Sequence, residues 1–163
     1  MIIDDHLTLA AYKIDMIQAA RVISYVGKTC DGSGLELYRA CPHAKWPRIC
    51  KTSFQVQEAI SAMHPVGGMC DMVNALKNVL DKVLTGSKIE PTSIYIYTDG
   101  VWKTGLDDIV KLILKAMDYL NKCGQSSKAL KLQFIQFGTD AKGTQQLQSV
   151  RDQLSQQLER RYW

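Results

Sequence analysis

The sequence predicts an α/β fold with a largely parallel sheet. The run of β-branched and aromatic residues from Ser93 to Thr98 is typical of a strand buried on both faces. A second strand-like segment, Leu130 to Phe137, alternates apolar and polar residues. Segments with helical apolar spacing separate the strand-like runs. Because strands and helices alternate, the expected connections are right-handed crossovers between parallel strands.

Length and composition indicate one globular domain over residues 1–163. The chain is 46% hydrophobic and 22% charged, which is ordinary for a folded protein. The net charge of +4 is spread along the sequence, and the only tight basic cluster is Arg160-Arg161. Nucleic-acid binding would require a basic face with interleaved aromatic residues, so it is not expected.

The number of cysteines and the hydropathy of the chain indicate in which cellular compartment the protein is expected. The five cysteines are an odd number at irregular spacing, which favours reduced thiols over a disulfide framework. No window approaches the ~18 apolar residues of a membrane span, and no basic segment followed by an apolar core begins the chain. The sequence therefore predicts an intracellular, cytoplasmic protein that does not enter a membrane.

The first half of the chain supplies four predicted elements. Met1 to Asp4 is typical of the end of a strand, and Leu9 to Val26 has helical spacing. Gly27 and the D-G-S-G run from Asp31 to Gly34 are expected to end that helix and make a turn. Leu35 to Tyr38 alternates as a strand, and Arg48 to Lys51 is compatible with a short antiparallel edge strand. The expected inner face of the helix consists of Ile14, Ile17, Ala20 or Arg21, Val22, Ile23 and Val26.

Four further helices are predicted. Thr52 or Ser53 caps the first, and Asp71 lies near the start of the second. The third follows Gly105, and the fourth is a polar helix from Thr144 to about Arg160. The expected inner face of the helix after Thr52 consists of Phe54, Val56, Ala59, Ile60 and Met63.

Asp99 is the candidate site residue that the sequence indicates first. It directly follows the predicted central strand, and ligands of doubly wound sheets gather outside the carboxyl ends of the strands. Asp-Gly is also a common turn sequence, because the Asp side chain bonds its own backbone. The residues alone leave both interpretations open.

Four segments in order resemble the von Willebrand factor type A (vWA) domain, particularly its intracellular fungal branch. They are D-D-H-L-T near the start, G-G-M before a helix, T-D-G-V-W after the central strand, and L-Q-F-I-Q-F-G-T-D-A-K-G-T-Q-Q-L near the end. The resemblance implies a doubly wound, Rossmann-like sheet of about six mostly parallel strands with helices on both faces, one strand being a short antiparallel edge strand. It also implies a protein-binding module that is not an enzyme. The family's first strand begins several residues before the acid, whereas this chain offers only Met1 to Ile3, and its last edge strand is not evident.

The resemblance also implies a divalent-cation site, the metal-ion-dependent adhesion site (MIDAS). Asp4, Thr8 and Asp99 match the family's two acids and one of its hydroxyls. His6 and Met69 stand where the family has hydroxyl residues. Mg²⁺ and Mn²⁺ prefer oxygen, a thioether is a soft ligand, and imidazole suits Zn²⁺ better. The expected site is therefore a weak or altered Mg²⁺ or Mn²⁺ site at Asp4, Thr8 and Asp99, with His6 as a further candidate ligand.

The expected partner is another protein that completes the ion's coordination with an acidic side chain. Met69 and Trp102 are the candidate partner-binding residues, since they lie in the loops that the resemblance places around the ion. An aromatic side chain there would dominate an interface. Trp102 is equally compatible with packing against its own loop.

Other functions remain open on the sequence. A metal-dependent hydrolase would use Asp4 and Asp99, although no nucleophile elbow or phosphate loop is visible. A metal-free assembly domain is the other alternative. The sequence does not favour two further sites that its thiols could form, a Zn²⁺ site and a nucleophile at Cys70 beside His64. The residues for that Zn²⁺ site are Cys30, Cys41, His43 and Cys50.

Overall fold

A computed structural model describes residues 1–30, 32–41, 46–68, 70–86, 88–102 and 105–162, with backbone alone at 28–30 and 158–162. The strands are β1 (Ile2–Ile3), β2 (Leu35–Arg39), β3 (Arg48–Cys50), β4 (Thr92–Thr98) and β5 (Leu130–Gln136). The α-helices are α1 (Lys13–Cys30), α2 (Ser53–Ser61), α3 (Met72–Val83), α4 (Leu106–Lys122) and α5 (Ala141–Tyr162). Leu7–Tyr12 and Ser127–Ala129 form 3₁₀ helices.

The strands form one sheet in the order β3-β2-β1-β4-β5. β1 pairs in parallel with β2 and β4, and β4 pairs in parallel with β5 over its whole length. β3 is the antiparallel edge strand, as predicted, and it pairs with β2. The predicted α/β fold with a mostly parallel sheet is confirmed. The described residues contribute five strands, against the about six that the vWA resemblance implies.

The sheet buries both faces because successive side chains of β4 point in opposite directions. Ile94 and Ile96 belong to the core under α3, α4 and α5. Tyr95 and Tyr97 pack into the core under α1 and α2. The central strand is thus covered on both sides by helices, as its apolar run predicts.

Side-chain caps fix where two helices begin. The hydroxyl of Thr52 accepts a hydrogen bond from the Gln55 N–H at 3.1 Å, and the carboxylate of Asp71 accepts one from the Asn74 N–H at 3.0 Å. Such caps satisfy backbone donors that the first turn leaves free. The predicted starts near Thr52 and Asp71 are confirmed.

Two predicted helix faces need correction. Phe54 is 61% exposed, because it lies about 200° around the helix axis from Val56, whose row already forms the inner face of α2. In α1 the fully buried row is Met16 and Ala20, while three residues of the predicted face are exposed. Those three are Ile14, Val22 and Val26.

Of the two predicted stop signals, Gly27 lies inside α1, and the helix ends at Cys30, directly before the D-G-S-G run in the sequence. A glycine inside a helix costs roughly 1 kcal/mol relative to alanine, and the packing of a long helix offsets a cost of that size. A Cβ on Gly27 would meet no atom within 4 Å.

Gly143 lets the first turn of α5 lie directly against the loop after β4. A Cβ on Gly143 would overlap the backbone carbonyl oxygen of Asp99, and a Cβ on Gly100 would lie 2.5 Å from the carbonyl oxygen of Gly143. Gly100 also has φ of +86°, a conformation that other residues rarely adopt. The backbone of the Asp99 loop is therefore held by a close approach that requires both glycines.

We expect Gly143→Ala to lower the free energy of unfolding by about 1–3 kcal/mol, because the added methyl group forces α5 away from Asp99. Gly27→Ala is the matched control, and it should raise stability by about 0.5–1 kcal/mol since its Cβ has open space. Urea unfolding of both variants measures the difference. Equal effects of the two substitutions would contradict the close approach.

Across the described ranges, no helix is long and apolar enough to cross a membrane.

Candidate functional site at the carboxyl edge of the sheet

Asp4 lies where β1 ends, beside the end of β4. Its N–H donates to the carbonyl oxygen of Tyr97 at 2.8 Å, and the residue has no solvent exposure. One carboxylate oxygen accepts from the His6 N–H at 3.2 Å, and the other accepts from the Thr98 hydroxyl at 2.7 Å. A fully buried acid is thus surrounded by hydrogen-bond donors.

The hydrogen bonds of the Thr98 hydroxyl permit only one position for its hydrogen. Its oxygen accepts from the Gly100 N–H at 2.9 Å and from the indole N–H of Trp102 at 2.8 Å. A hydroxyl has two lone pairs and one hydrogen, so its hydrogen is left for Asp4. Thr98 therefore joins the acid of the first loop to the backbone and the tryptophan of the third.

Asp99 lies one residue further along and is 4% exposed. Its Oδ1 accepts from the Val101 N–H at 2.8 Å, which is the Asx-type turn that its sequence permits. Its Oδ2 accepts a short hydrogen bond from the hydroxyl of Thr8. The turn that the Asp-Gly sequence predicts is confirmed, and the same side chain also contacts the first loop.

His6 lies beside Thr8, with 2.8 Å between its Nδ1 and the Thr8 hydroxyl oxygen. Because that hydroxyl gives its hydrogen to Asp99, Nδ1 carries the hydrogen in this contact. The same nitrogen lies 3.4 Å from the backbone nitrogen of Thr8. In this tautomer Nδ1 does not accept a hydrogen bond from the Thr8 N–H. The imidazole thus orients the hydroxyl of Thr8 toward Asp99.

The pKa of Asp4 is raised above its ordinary value of 3.8. Burial is the main cause, because it disfavours the charged carboxylate, and the negative charge of Asp99 adds to it. Hydrogen bonds from Thr98, Cys70 and the His6 N–H act in the opposite direction. The folded protein therefore holds this proton at a pH where the unfolded chain has released it.

We expect this group to make the free energy of unfolding fall as pH rises from 3.8 to the raised pKa, since over that interval the folded state binds the extra proton. Above the raised pKa the contribution is constant. Carboxyl ¹³C NMR of the metal-free protein measures the titration of Asp4 directly. An Asp4 carboxyl that titrates at or below 3.8 would contradict the assignment.

Asp5 follows Asp4 but faces a different partner. Its Oδ2 accepts from Arg39 Nε at 2.7 Å and from Nη2 of the same guanidinium, and its Oδ1 accepts from the Cys41 N–H at 3.0 Å. The two side chains are only 3% and 7% exposed. Arg39 also donates to the carbonyl oxygen of His64 at 3.1 Å. This buried ion pair joins the ends of β1 and β2 to the segment that follows α2.

Cys41 and Cys70 lie next to this pair, with 3.9 Å between their sulfur atoms. Both are free thiols, and Cys70 has no solvent exposure. Cys50 belongs to the opposite core, under α1 and α2. Two of the candidate zinc ligands that the sequence offers, His43 and the side chain of Cys30, lie outside the described residues. Cys41 is therefore placed with Cys70 and not with Cys50.

The structure brings together four of the residues that the sequence singled out: Asp4, His6, Thr8 and Asp99. Trp102 takes the packed alternative, since it is 3% exposed, bonds Thr98 and lies 5.9 Å from the ring of Phe134. Met69 lies outside the described residues.

Sequence reasoning missed three residues of the site. Thr98 could be found from the T-D-G segment, because its hydroxyl stands directly before the acid. Asp5 and Arg39 carry no pattern, because their contact spans 34 positions.

The fold and this cluster define a Rossmann-like α/β protein with carboxylate and hydroxyl oxygens gathered at the carboxyl edge of its sheet. No protein-family model matches the chain, and no curated protein matches it.

Proposed function

We propose that this protein is a vWA-type interaction module that binds an acidic group of a partner protein through a divalent cation. The observation that carries the proposal is the continuous path of hydrogen bonds that joins Asp4 to Asp99, 95 positions apart, through His6 and the hydroxyl of Thr8. The strand order, with its short antiparallel edge strand, supports the same class of protein. The resemblance described above supplies the family.

The donor set fits a hard cation such as Mg²⁺ or Mn²⁺. Asp4, Thr8 and Asp99 offer oxygen atoms, which these ions prefer, and water would fill the remaining positions. Each oxygen of Asp99 accepts one hydrogen bond from the described residues, which leaves lone pairs for an ion. Thr8 is exposed while the acids are buried, so the opening of the site lies on the Thr8 side.

His6 has a positioning role in this proposal. Its Nδ1 forms a hydrogen bond with the hydroxyl of Thr8. The imidazole would therefore orient Thr8, which is the ligand, from outside the coordination sphere. Such outer partners fix the direction of a ligand oxygen. His6 therefore stands beside the cation and need not coordinate it.

The partner surface would surround Thr8. Leu7 and Val66 are 60% and 39% exposed, and the Leu7 N–H donates to the Val66 carbonyl oxygen at 3.2 Å. They form an apolar rim beside the polar opening. An acidic side chain of the partner would complete the coordination of the ion, so the affinities for ion and partner would depend on each other.

Calorimetric titration with Mn²⁺ and Mg²⁺ tests the proposal. We expect binding by the natural chain and at least a tenfold loss in Asp99→Asn, because the ion loses a charged ligand. Asp81→Asn is the matched control, since this acid is 62% exposed in a pair with Lys77 at the far end of α3. Its Mn²⁺ affinity should not change. Circular dichroism would establish that both variants are folded.

Partner binding has a separate test. An array of Glu-containing peptides, each paired with its Gln counterpart, should retain the protein in Mn²⁺ and release it in EDTA. Absence of heat with either ion, or equal affinity of Asp99→Asn and the natural chain, would leave a metal-free assembly domain. Ion binding together with turnover in a phosphatase and esterase screen would favour the hydrolase.

A further inference from the structure

Three groups from separate elements meet beside the proposed adhesion site. Asp5 follows β1, Cys41 follows β2, and Cys70 precedes the capping residue of α3. One carboxylate oxygen and the two sulfur atoms all lie within 4.8 Å of one another. Asp5 and Cys70 are buried, and Cys41 is partly buried. Thiols and a carboxylate at this separation form a ligand set of a different kind from that of Asp4, Thr8 and Asp99.

The spacing of the sulfur atoms fits a tetrahedral ion. Two thiolates bound to one Zn²⁺ at about 2.3 Å lie about 3.8 Å apart, and Cys41 and Cys70 are separated by 3.9 Å. Little movement of either side chain would therefore be needed to bind an ion. Two thiols and one carboxylate leave a fourth position for water.

Asp5 can serve as a ligand without losing its ion pair. Its Oδ2 carries both bonds from Arg39, whereas its Oδ1 carries one bond, from the Cys41 N–H. A carboxylate oxygen has two acceptor positions, so Oδ1 keeps one for an ion. Arg39 would then fix the direction of the ligand, as outer contacts of metal sites commonly do.

The charge balance permits burial of the ion. Cys41 and Cys70 are free cysteines, and a cysteine thiol ordinarily keeps its proton at neutral pH. Binding forms two metal–sulfur bonds, breaks two S–H bonds and releases two protons. The two positive charges of the ion therefore replace the positive charges of the two protons. The net charge of the buried cluster does not change, and a coordinated ion deprotonates a thiol outright.

We propose that Asp5, Cys41 and Cys70 form a second metal site, which takes a thiophilic divalent ion such as Zn²⁺. The inference stands apart from the proposed adhesion site, because it uses different side chains and a different class of ion. Soft thiolate ligands select Zn²⁺ over Mg²⁺ and Mn²⁺.

Co²⁺ titration of the reduced protein tests the site, because a thiolate ligand gives a sulfur-to-cobalt charge-transfer band in the near ultraviolet. We expect the band in the natural chain and its displacement by Zn²⁺. Cys41→Ser and Cys70→Ser should each lose most of it. Cys123→Ser is the matched control, since Cys123 is a free thiol at the end of α4, and it should keep the band. Asp99→Asn should also keep it, which separates the two metal proposals.

A second measurement needs no substitution. We expect Zn²⁺ to slow alkylation of Cys41 by iodoacetamide at least tenfold, with Cys123 as the reference thiol in the same sample. Peptide mass spectrometry reads both sites. Absence of the cobalt band together with equal alkylation of Cys41 in Zn²⁺ and in EDTA would overturn the proposal.

Discussion

Arg39→Met should lower the free energy of unfolding by about 3–5 kcal/mol, because it leaves the buried Asp5 carboxylate without its guanidinium. Arg39 and Asp5 are 7% and 3% exposed, so water cannot take the place of the lost charge. Methionine fills similar space, and the effect therefore measures the ion pair more than a cavity. Equilibrium urea unfolding gives the value.

Two further variants separate the buried pair from charge in general. Lys82→Met removes an exposed ion pair with Glu36, and it should cost about 1 kcal/mol or less. Removing both charges in Asp5→Leu/Arg39→Met should restore part of the stability that Arg39→Met loses, since no unpaired charge remains. If Arg39→Met and Lys82→Met were equally mild, the ion pair would not hold β1, β2 and the His64 segment together.

Thr98→Val should lower the free energy of unfolding by about 3–5 kcal/mol, although the two side chains have nearly the same shape. The hydroxyl of Thr98 is the acceptor for the Gly100 N–H and for the Trp102 indole, and it is the donor to Asp4. Valine leaves these buried groups without that partner, and each unsatisfied buried group costs about 1–3 kcal/mol. Urea unfolding measures the loss, and near-ultraviolet circular dichroism reports whether Trp102 keeps its fixed environment.

Thr98→Ser is the matched control for this substitution. It keeps the hydroxyl and removes one buried methyl group, so we expect a loss of about 1 kcal/mol. A difference between valine and serine of less than 1 kcal/mol would contradict the bonding pattern of Thr98. We expect the valine variant also to lose Mn²⁺ affinity, because Asp4 would no longer be fixed beside Asp99.

The elements that the sequence predicts well have short-range causes. β4 and β5 follow from alternating or continuous apolar runs, and the starts of α2 and α3 follow from the caps at Thr52 and Asp71. The convergence of Asp4 and Asp99 was predictable because parallel strands bring their carboxyl ends to one edge of the sheet. Phe54 lies outside the inner face of α2 because it is about 200° around the helix axis from Val56, and helical spacing alone predicts this.

The remaining features depend on how the elements pack. Gly27 stays inside α1 because tertiary packing overrides its helix propensity. The contact of Cys41 with Cys70 spans 29 positions and follows no sequence pattern, since it arises where two loops meet.

The central claim is that Asp4, Thr8 and Asp99 hold one divalent cation at the carboxyl edge of the sheet. Crystals grown with Mn²⁺, measured at an X-ray wavelength where manganese scatters anomalously, test it most directly. We predict one anomalous peak in contact with the Thr8 hydroxyl and with the Asp99 carboxylate or its bound water. Well-ordered crystals without a peak there, with Thr8 still donating to Asp99, would contradict it.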